Sequence, residues 1–155
     1  MRTLIILSIL ILIIVIPAES KEKLYYIGSR KCRLCHLEYF QGWEKDLHAT
    51  AFETLKRMKD NPYCLKCHTT GYGEPGGFIS EKITPQLRGV QCEACHGPGS
   101  KHKENPTDPT SLPVGTHVDY RTVCIRCHDQ NWTPQFDYQK YKKRIEHKIE
   151  KKIKQ

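Results

Sequence analysis

Residues 90–102 read "VQCEACHGPGSKH", a stretch with two cysteines, a histidine directly after the second cysteine and another histidine six residues on. The arrangement Cys-x-x-Cys-His occurs three more times, at residues 32–36, 64–68 and 124–128, and so uses all eight cysteines of the chain. This arrangement is the attachment signal for c-type haem. The two thiols form thioethers with the two vinyl groups on one edge of the porphyrin, and the following imidazole becomes the proximal iron ligand. The sequence therefore predicts four covalently bound haems.

Two other uses of paired cysteines compete with this interpretation. Zinc ribbons also contain Cys-x-x-Cys pairs, and an even number of cysteines in an exported chain is typical of disulfides. Neither use requires a histidine after every second cysteine, so four copies without exception favour haem. The predicted attachment residues are Cys32, Cys35, Cys64, Cys67, Cys92, Cys95, Cys124 and Cys127. The predicted proximal iron ligands are His36, His68, His96 and His128.

The N-terminus predicts export. A short basic start is followed by an apolar run over residues 4–16 and then by small residues, as is typical of a secretory signal peptide. We predict that residues 1–20 form this signal, with cleavage after Ala18 or Ser20. An uncleaved membrane anchor is the alternative, but the run falls short of the about 20 apolar residues that a spanning helix needs. The predicted location is periplasmic or extracellular.

Residues 21–155 are predicted to form one domain. The full chain is 38% hydrophobic and 27% charged, so few side chains are left for an ordinary core. Four flat apolar haems can replace such a core. We therefore predict a compact multihaem cytochrome c fold that is mainly α-helical, with extensive irregular loops, little or no sheet and a basic helix at the C-terminus.

The formal net charge of +8 raises the question of nucleic-acid binding. Export and the lack of a recognition motif argue against nucleic acid. A basic surface here favours steering toward an acidic redox partner protein, weak contact with an anionic membrane surface, or solubility. Self-association is left open.

The apolar periodicity predicts one long helix over residues 36–59, with His48 inside its apolar arc. The Gly-rich residues 69–79 are expected to form a tight loop that lets the backbone pass close to a haem face, and residues 97–115 are expected to form a second loop. The tail, residues 136–155, is predicted to be the basic helix. Its narrow apolar stripe consists of Tyr138, Tyr141, Ile145, Ile149 and Ile153.

The histidines outside the motifs are candidate distal ligands. The chain has eight histidines, and one remains for each haem once the four proximal ligands are counted. The remaining histidines are His48, His102, His117 and His147. This count predicts bis-histidine iron, with Met58 as a minor alternative ligand. Iron with two protein ligands has no open position for a substrate. No catalytic residue stands out either, so an electron carrier is favoured over an enzyme.

His102 lies too close in sequence to His96 to share its iron. Six residues span at most about 20 Å when fully extended, and Gly97-Pro98-Gly99 turns the chain instead of extending it. The chain would also have to leave one face of the haem and return over the other. His102 is therefore predicted to serve the iron of a different motif.

Several longer stretches resemble the tetrahaem cytochrome c-554 family, which accepts electrons from hydroxylamine oxidation. They are "GSRKCRLCH" followed by "LHATAFETLK", "CLKCHTTGYGEPGGF", "LRGVQCEACHGPGSKH", and "VCIRCH" followed by "PQFDYQKY" and "IEH". The stretches occur in order over nearly the whole chain after the signal. The resemblance implies closely spaced haem pairs that provide a continuous electron path.

The resemblance also implies a set of distal ligands. It assigns His48 to the haem of His96, His102 to the haem of His36, and His147 to the haem of the fourth motif. In the family the second haem can lack a distal histidine, whereas counting assigns His117 to it. We predict ligation by His117.

The primary functional prediction is a tetrahaem electron carrier that relays electrons between an exported or membrane redox enzyme and a downstream acceptor. One alternative is a subunit of an extracellular cytochrome filament, in which a histidine ligates a haem of the next subunit. Another is a small nitrogen-oxide reductase that uses one five-coordinate haem. The bis-histidine count favours the carrier over the reductase.

Overall fold

The computed structural model describes residues 23–114 and 119–145. The predicted signal peptide, His117 and His147 lie outside the described residues. Seven α-helices and two 3₁₀-helices occur in the described part. The α-helices are α1 (Ser29–Cys32), α2 (Leu37–Glu44), α3 (Pro62–His68), α4 (Cys92–His96), α5 (Ser100–Glu104), α6 (Arg121–Cys124) and α7 (Tyr138–Ile145), and the 3₁₀-helices are Ala51–Met58 and Pro85–Leu87.

Strand structure is almost absent from the part of the chain that the structure describes. Its one β-bridge is an isolated antiparallel pair between Thr69 and Arg88. Among these residues no helix combines the length and the apolar character needed to cross a membrane. The observed architecture agrees with the predicted mainly α fold with irregular connections.

Each Cys-x-x-Cys-His motif forms one helical turn. In the first motif the backbone N–H of His36 donates to the carbonyl oxygen of Cys32 at 2.9 Å, and in the fourth His128 donates to Cys124 at the same distance. Residues at positions i, i+3 and i+4 of a helix lie on one face. The turn therefore directs both thiols and the imidazole of a motif to the same side.

The prediction of a single helix over residues 36–59 is wrong. Helix α2 ends at Glu44, and a turn separates it from the 3₁₀-helix that begins at Ala51. In this turn the Asp46 carboxylate accepts the backbone N–H of His48 at 2.8 Å, a side-chain bond that competes with helix continuation. Leu47, placed on the apolar arc by the sequence, is 85% exposed as a result.

The small apolar core lies between the 3₁₀-helix Ala51–Met58, α3 and the loops that follow α3. Its buried side chains are Phe52, Leu55, Leu65, Phe78 and Leu87. Apolar side chains inside the motifs remain outside this core, since Leu34 is 76% exposed and Ile125 is 50% exposed. The polypeptide alone thus buries few large side chains, as expected of a chain whose interior includes prosthetic groups.

The Gly-rich segment closes on itself. Phe78 donates its backbone N–H to the carbonyl of Thr70 at 3.0 Å, and a Cβ atom on Gly77 would overlap the carbonyl of Gly71. The close approach that requires glycine here is therefore between two backbone segments. The expectation that this loop passes a haem face stays untested.

Two other regions refine the predictions. Residues 97–115, predicted as a loop, contain the short helix α5. Helix α7 confirms the first part of the basic C-terminal helix, and its stripe residues Tyr138, Tyr141 and Ile145 are half-buried while the lysines and arginine between them are exposed. Ile149 and Ile153 lie outside the described residues.

Glu93 joins three segments of the fold. Its side chain is buried, with 3% relative exposure. The carboxylate accepts the backbone N–H groups of Ile27 at 2.9 Å, Gly28 at 2.7 Å and Gly99 at 2.7 Å. The chain before the first motif is thereby fixed to the third motif and to the turn behind it.

We predict that Glu93→Ala lowers the free energy of unfolding by about 3 kcal/mol or more, because each buried N–H group left without an acceptor costs about 1–3 kcal/mol. Chemical denaturation of the haem-loaded protein, followed by circular dichroism, measures the change. Glu104→Ala, at an exposed position of α5, is the control and should leave the midpoint nearly unchanged. Equal effects of the two substitutions would contradict the role assigned to Glu93.

Candidate haem attachment sites

The thiols of different motifs meet in pairs. Cys32 of the first motif lies within hydrogen-bonding range of Cys92 of the third. The hydrogen bond to Cys92 and burial raise the pKa of Cys32, and the same bond lowers the pKa of Cys92. The first and third attachment sites are therefore neighbours.

The second and fourth motifs form another pair. A hydrogen bond from Cys127 lowers the pKa of Cys67 to about 7, and the same bond raises the pKa of Cys127. The Cys67 Sγ atom also lies 4.0 Å from the carbonyl oxygen of Arg126. The second attachment site is therefore next to the fourth.

Cys95 connects these two pairs. Burial is the main cause that raises the pKa of Cys95 to about 11, and the nearby Cys124 thiol is the second. Cys95 also contributes to the raised pKa of Cys127. In space the motifs consequently follow the order first, third, fourth and second.

Two pairs of imidazoles lie at the spacing that one metal ion requires. With metal–nitrogen bonds of about 2.0–2.1 Å, imidazoles on opposite sides of one ion have ring centres about 6 Å apart. The ring centroids of His36 and His102 are 6.1 Å apart with planes inclined by 17°. Those of His48 and His128 are also 6.1 Å apart, with planes inclined by 73°.

His102 lies beside His36, the proximal histidine that the resemblance assigned to it. His48 lies beside His128. It also lines the cavity that contains His96, the histidine whose haem the resemblance assigned to it. The turn that carries His48 packs against the third motif through a 2.9 Å bond from the Val90 N–H to the His48 carbonyl. The assignments of both distal histidines stay predictions.

Several histidines make a hydrogen bond between ring Nδ1 and an oxygen atom. The pairs are His68 with the Ala51 carbonyl at 2.7 Å, His96 with Tyr120 Oη at 2.9 Å, His102 with Ser111 Oγ at 2.8 Å, and His128 with Thr133 Oγ1 at 3.4 Å. Nδ1 of His48 lies 2.9 Å from Asp46 Oδ1, within ion-pair distance. A carbonyl can only accept, so Nδ1 of His68 carries the proton. The opposite nitrogen, Nε2, then keeps its lone pair for a metal.

The same reasoning applies to His102. The Ser111 hydroxyl donates to the Asp108 carbonyl at 2.6 Å, which leaves its lone pairs to accept from Nδ1 of His102. The Tyr120 hydroxyl beside His96 can donate or accept, so it does not fix the tautomer of that ring. The environments of His68 and His102 therefore fit iron ligation through Nε2.

Two cavities adjoin the motifs. One, of about 510 Å³, is lined by Cys92, Cys95 and His96 of the third motif, by Cys124 of the fourth, and by Trp43 and His48. The other, of about 550 Å³, borders His128 and is lined by Ile125, Phe136 and residues around them. Both volumes are in the range of about 300–1,000 Å³ typical of cofactor sites. The arrangement of thiols, imidazoles and space fits covalent haem.

Comparison with known protein families gives a match over residues 31–97, to the family described as "Cytochrome c554 and c-prime". The matched residues enclose the first three motifs. The resemblance to the cytochrome c-554 family is confirmed. Covalent haem c, the cofactor of this family, is confirmed with it, whereas the number of four haems rests on the motifs and stays a prediction.

A curated relative is cytochrome c-554 of Nitrosomonas europaea, with 38% identity over 89 residues. The match covers 46% of this chain and 38% of the relative, so the chain spans well under two thirds of that protein's length. A solved structure of the reduced state of cytochrome c554 from the same organism superposes with a TM-score of 0.55 at 24% identity. The superposition covers 79% of this chain and 78% of that chain, and it confirms the predicted fold class.

Sequence reasoning missed the oxygen atoms that hold the histidine rings. Asp46, two residues before His48, carries a local signal, since aspartate commonly bonds the backbone two residues on. Ser111 and Tyr120 carry none, because their contacts with His102 and His96 arise from tertiary packing. His117 and His147 lie outside the described residues and stay predicted ligands.

We predict that Ser111→Ala weakens the bond of His102 to iron about tenfold, because loss of an outer hydrogen-bond partner typically costs 10–100-fold in metal affinity. The measurement is carbon monoxide binding to the reduced protein, which requires His102 to leave the iron. Thr110→Ala, at the neighbouring exposed position, is the matched control. Identical carbon monoxide binding by the two variants would contradict the prediction.

Proposed function

We propose that this chain is an exported electron carrier with four covalently bound haems c and no substrate site. One-electron transfer is the chemistry that haem c supplies when it is bound. The observation that carries the proposal is the 6.1 Å spacing of the two histidine pairs, His36 with His102 and His48 with His128. Two histidines at this spacing would hold one haem iron between them and would leave it no open position for a substrate.

The remaining two histidines complete the proposed ligand set. Because His48 lies beside His128, His147 becomes the partner of His96 instead of the fourth motif. Helix α7 supports this change, since Tyr138 and Ile145 line the cavity that contains His96, and His147 follows Ile145 by two residues. His117 is then the remaining candidate for the second ligand of the haem of His68, as the count of histidines proposes.

The neighbouring thiols support a relay through the whole molecule. Hydrogen bonds between Cys32 and Cys92 and between Cys67 and Cys127 pair the motifs, and Cys95 and Cys124 line the same cavity between the two pairs. A carrier needs such neighbouring motifs to accept an electron at one surface and to release it at another. An isolated binding site would need no contact between motifs.

The positive net charge of the chain supports a redox partner with a negative net charge. The net charge is +8, and the exposed side of α7 presents Lys142, Lys143 and Arg144. A basic surface raises the rate of encounter with an acidic partner protein, and raises it less at high ionic strength. The donor and the acceptor are therefore proposed to be acidic proteins outside the cytoplasm, where the predicted signal peptide directs the chain.

We predict four covalent haems per chain. The mass of the mature protein and a pyridine haemochrome assay should both report this number. Cys95→Ala should lower the yield of folded protein because it removes one of the two thioether bonds of the third haem. Detection of zinc without haem would overturn the proposed function.

We predict two distinguishable low-spin signals in the oxidised protein. Near-parallel imidazole planes separate the iron d orbitals and produce a rhombic electron paramagnetic resonance spectrum. Near-perpendicular imidazole planes leave these orbitals close in energy and produce a strongly anisotropic spectrum. The angle of 17° assigns the rhombic signal to the iron of His36 and His102, and the angle of 73° assigns the anisotropic signal to the iron of His48 and His128.

Replacement of each distal histidine tests this assignment. His102→Ala should remove one rhombic low-spin signal, and His48→Ala should remove one anisotropic signal, each with the gain of one high-spin haem. The two variants serve as controls for each other. A His48→Ala protein that keeps its anisotropic signals and loses a rhombic one would contradict the pairing with His128.

A further inference from the structure

The first motif lies in the most exposed segment that carries a predicted attachment site. Every residue from Arg33 to Tyr39 is exposed, and the exposed fractions of Leu34 and Leu37 are 76% and 46%. Cys35 is exposed as well, whereas the other seven attachment cysteines, all in the described part of the chain, are half-buried. The fold therefore leaves the first attachment site more open to solvent than the other three.

The outer side of this segment faces away from the attachment side. The backbone N–H groups of Arg33 and His36 each donate to the carbonyl four residues earlier at 2.9 Å, so the motif continues the helical run of α1. The two cysteines and the histidine share one face of this run. Leu34 lies two residues after the first cysteine, and side chains two apart on a helix do not face each other. A haem bound by the motif consequently leaves Leu34 accessible.

Positive charges surround Leu34. Side chains three and four residues apart are neighbours on a helix, so Lys31 and Arg30 flank Leu34, while Arg33 directly precedes it. All three cationic side chains are exposed. Together they form the first-motif surface, which consists of Arg30, Lys31, Arg33 and Leu34.

The charges of the first-motif surface are not neutralised within the described residues. None of the ion pairs found there involves its three cations. The Arg33 guanidinium lies 5.5 Å from the centre of the Phe40 ring, a contact that leaves its charge in place. The acidic residue nearest in sequence to Leu34 is Glu38, which lines the cavity beside the third motif. The charge is therefore available to a negatively charged partner.

The first-motif surface is held rigidly. At the start of α1 the backbone N–H of Ser29 donates to Oε1 of Gln91, and that of Gly28 donates to the buried Glu93 carboxylate, both at 2.7 Å. Both acceptors belong to the region of the third motif. A surface that is already ordered loses little conformational freedom when a partner binds.

The place of the first motif in the molecule suits an exchange of electrons with a partner. In the spatial order of the motifs given above, the first motif is at one end and the second at the other. The basic side of α7 is a separate surface, because Lys142, Lys143 and Arg144 border the third motif, which lies inside that order. An electron that passes through all four motifs has to enter or leave at an end.

We propose that the first-motif surface docks an acidic redox protein and that electrons enter or leave this chain at the first motif. The inference rests on the proposed function, which supplies the haems and the relay. The transfer moves one electron between the partner's cofactor and the iron of the first motif, which changes between ferric and ferrous. Leu34 and Cys35 are consecutive, so a partner seated on Leu34 lies within about one helix diameter, ~10 Å, of the attachment side.

An anionic membrane is the competing occupant of a basic surface with an exposed leucine. Helices that lie in a membrane surface have a broad apolar face that enters the lipid. Helix α1 has four residues, and its extension through the motif presents few apolar side chains. An interface with a small apolar centre and a polar rim is typical of protein partners, so the observations favour a protein.

Lys31→Glu combined with Arg33→Glu tests the proposal in the haem-loaded protein. The probe is reduced flavodoxin, an acidic protein whose flavin donates one electron at a time, mixed with the oxidised cytochrome in a stopped-flow instrument. The second-order rate constant should fall about tenfold or more, because electrostatic attraction raises association rates by roughly 10–10³-fold. The difference from the wild type should shrink as salt is added. Reduction by hexaammineruthenium(II), a cationic donor, should be no slower than in the wild type.

Lys56→Glu combined with Arg57→Glu is the matched control. It makes the same change in charge with the same residue types, at exposed positions of the 3₁₀-helix whose Ala51 carbonyl contacts His68 of the second motif. This variant should react with flavodoxin much faster than Lys31→Glu with Arg33→Glu. Equal slowing in both variants would reveal a general charge effect and overturn the proposal, as would an unchanged rate in Lys31→Glu with Arg33→Glu.

Lys31→Gln combined with Arg33→Gln covers the case in which charge reversal lowers haem loading. It removes two positive charges without adding negative ones, so the rate with flavodoxin should fall by a smaller factor, and an unchanged rate in a fully loaded protein would overturn the proposal. Binding of the wild type to phosphatidylserine vesicles that either variant at Lys31 and Arg33 abolishes, with unchanged flavodoxin rates, would assign the surface to a membrane instead. The haem count and the low-spin signals of the wild type test the proposed function separately.

Discussion

The fold depends on a single constraint, that of the Cys-x-x-Cys-His motif, which occurs four times in the sequence. Two thiols and one imidazole must face the same edge and the same side of a flat group, and one helical turn is the shortest backbone arrangement that provides this. The helices of this chain are accordingly short, and the motifs occupy α3, α4 and the turns that follow α1 and α6. The rest of the chain serves to bring these turns together.

Polar bonds join the motifs to the chain around them. Among the described residues the main apolar cluster consists of five buried side chains. Elsewhere, buried polar groups connect segments distant in sequence, among them Glu93 with the N–H groups near the first motif and Gln91 with the backbone of Ser29 at 2.7 Å. Such bonds are directional, whereas apolar contacts are not. Directional contacts suit a protein in which the relative orientation of several rigid groups matters more than the volume of its core.

Much of the site could be predicted from the sequence, because its chemistry is local. The spacing within each motif predicts the attachment cysteines and proximal histidines, and the turn at Gly97-Pro98-Gly99 predicts that His102 serves another motif than His96. His48 was placed on a helix because the apolar periodicity around it is regular. A single carboxylate bond at Asp46 overrides that periodicity. Glu93 lies at a variable position inside a motif, and its burial depends on N–H groups that only the tertiary structure brings near.

The pairing of histidines from distant segments has a consequence for how the chain folds. His36 lies beside His102, and His48 lies beside His128, so each pair joins residues that are synthesised far apart in time. Contacts between residues far apart in sequence form slowly. The geometry of these two pairs is therefore expected to be complete only late in folding.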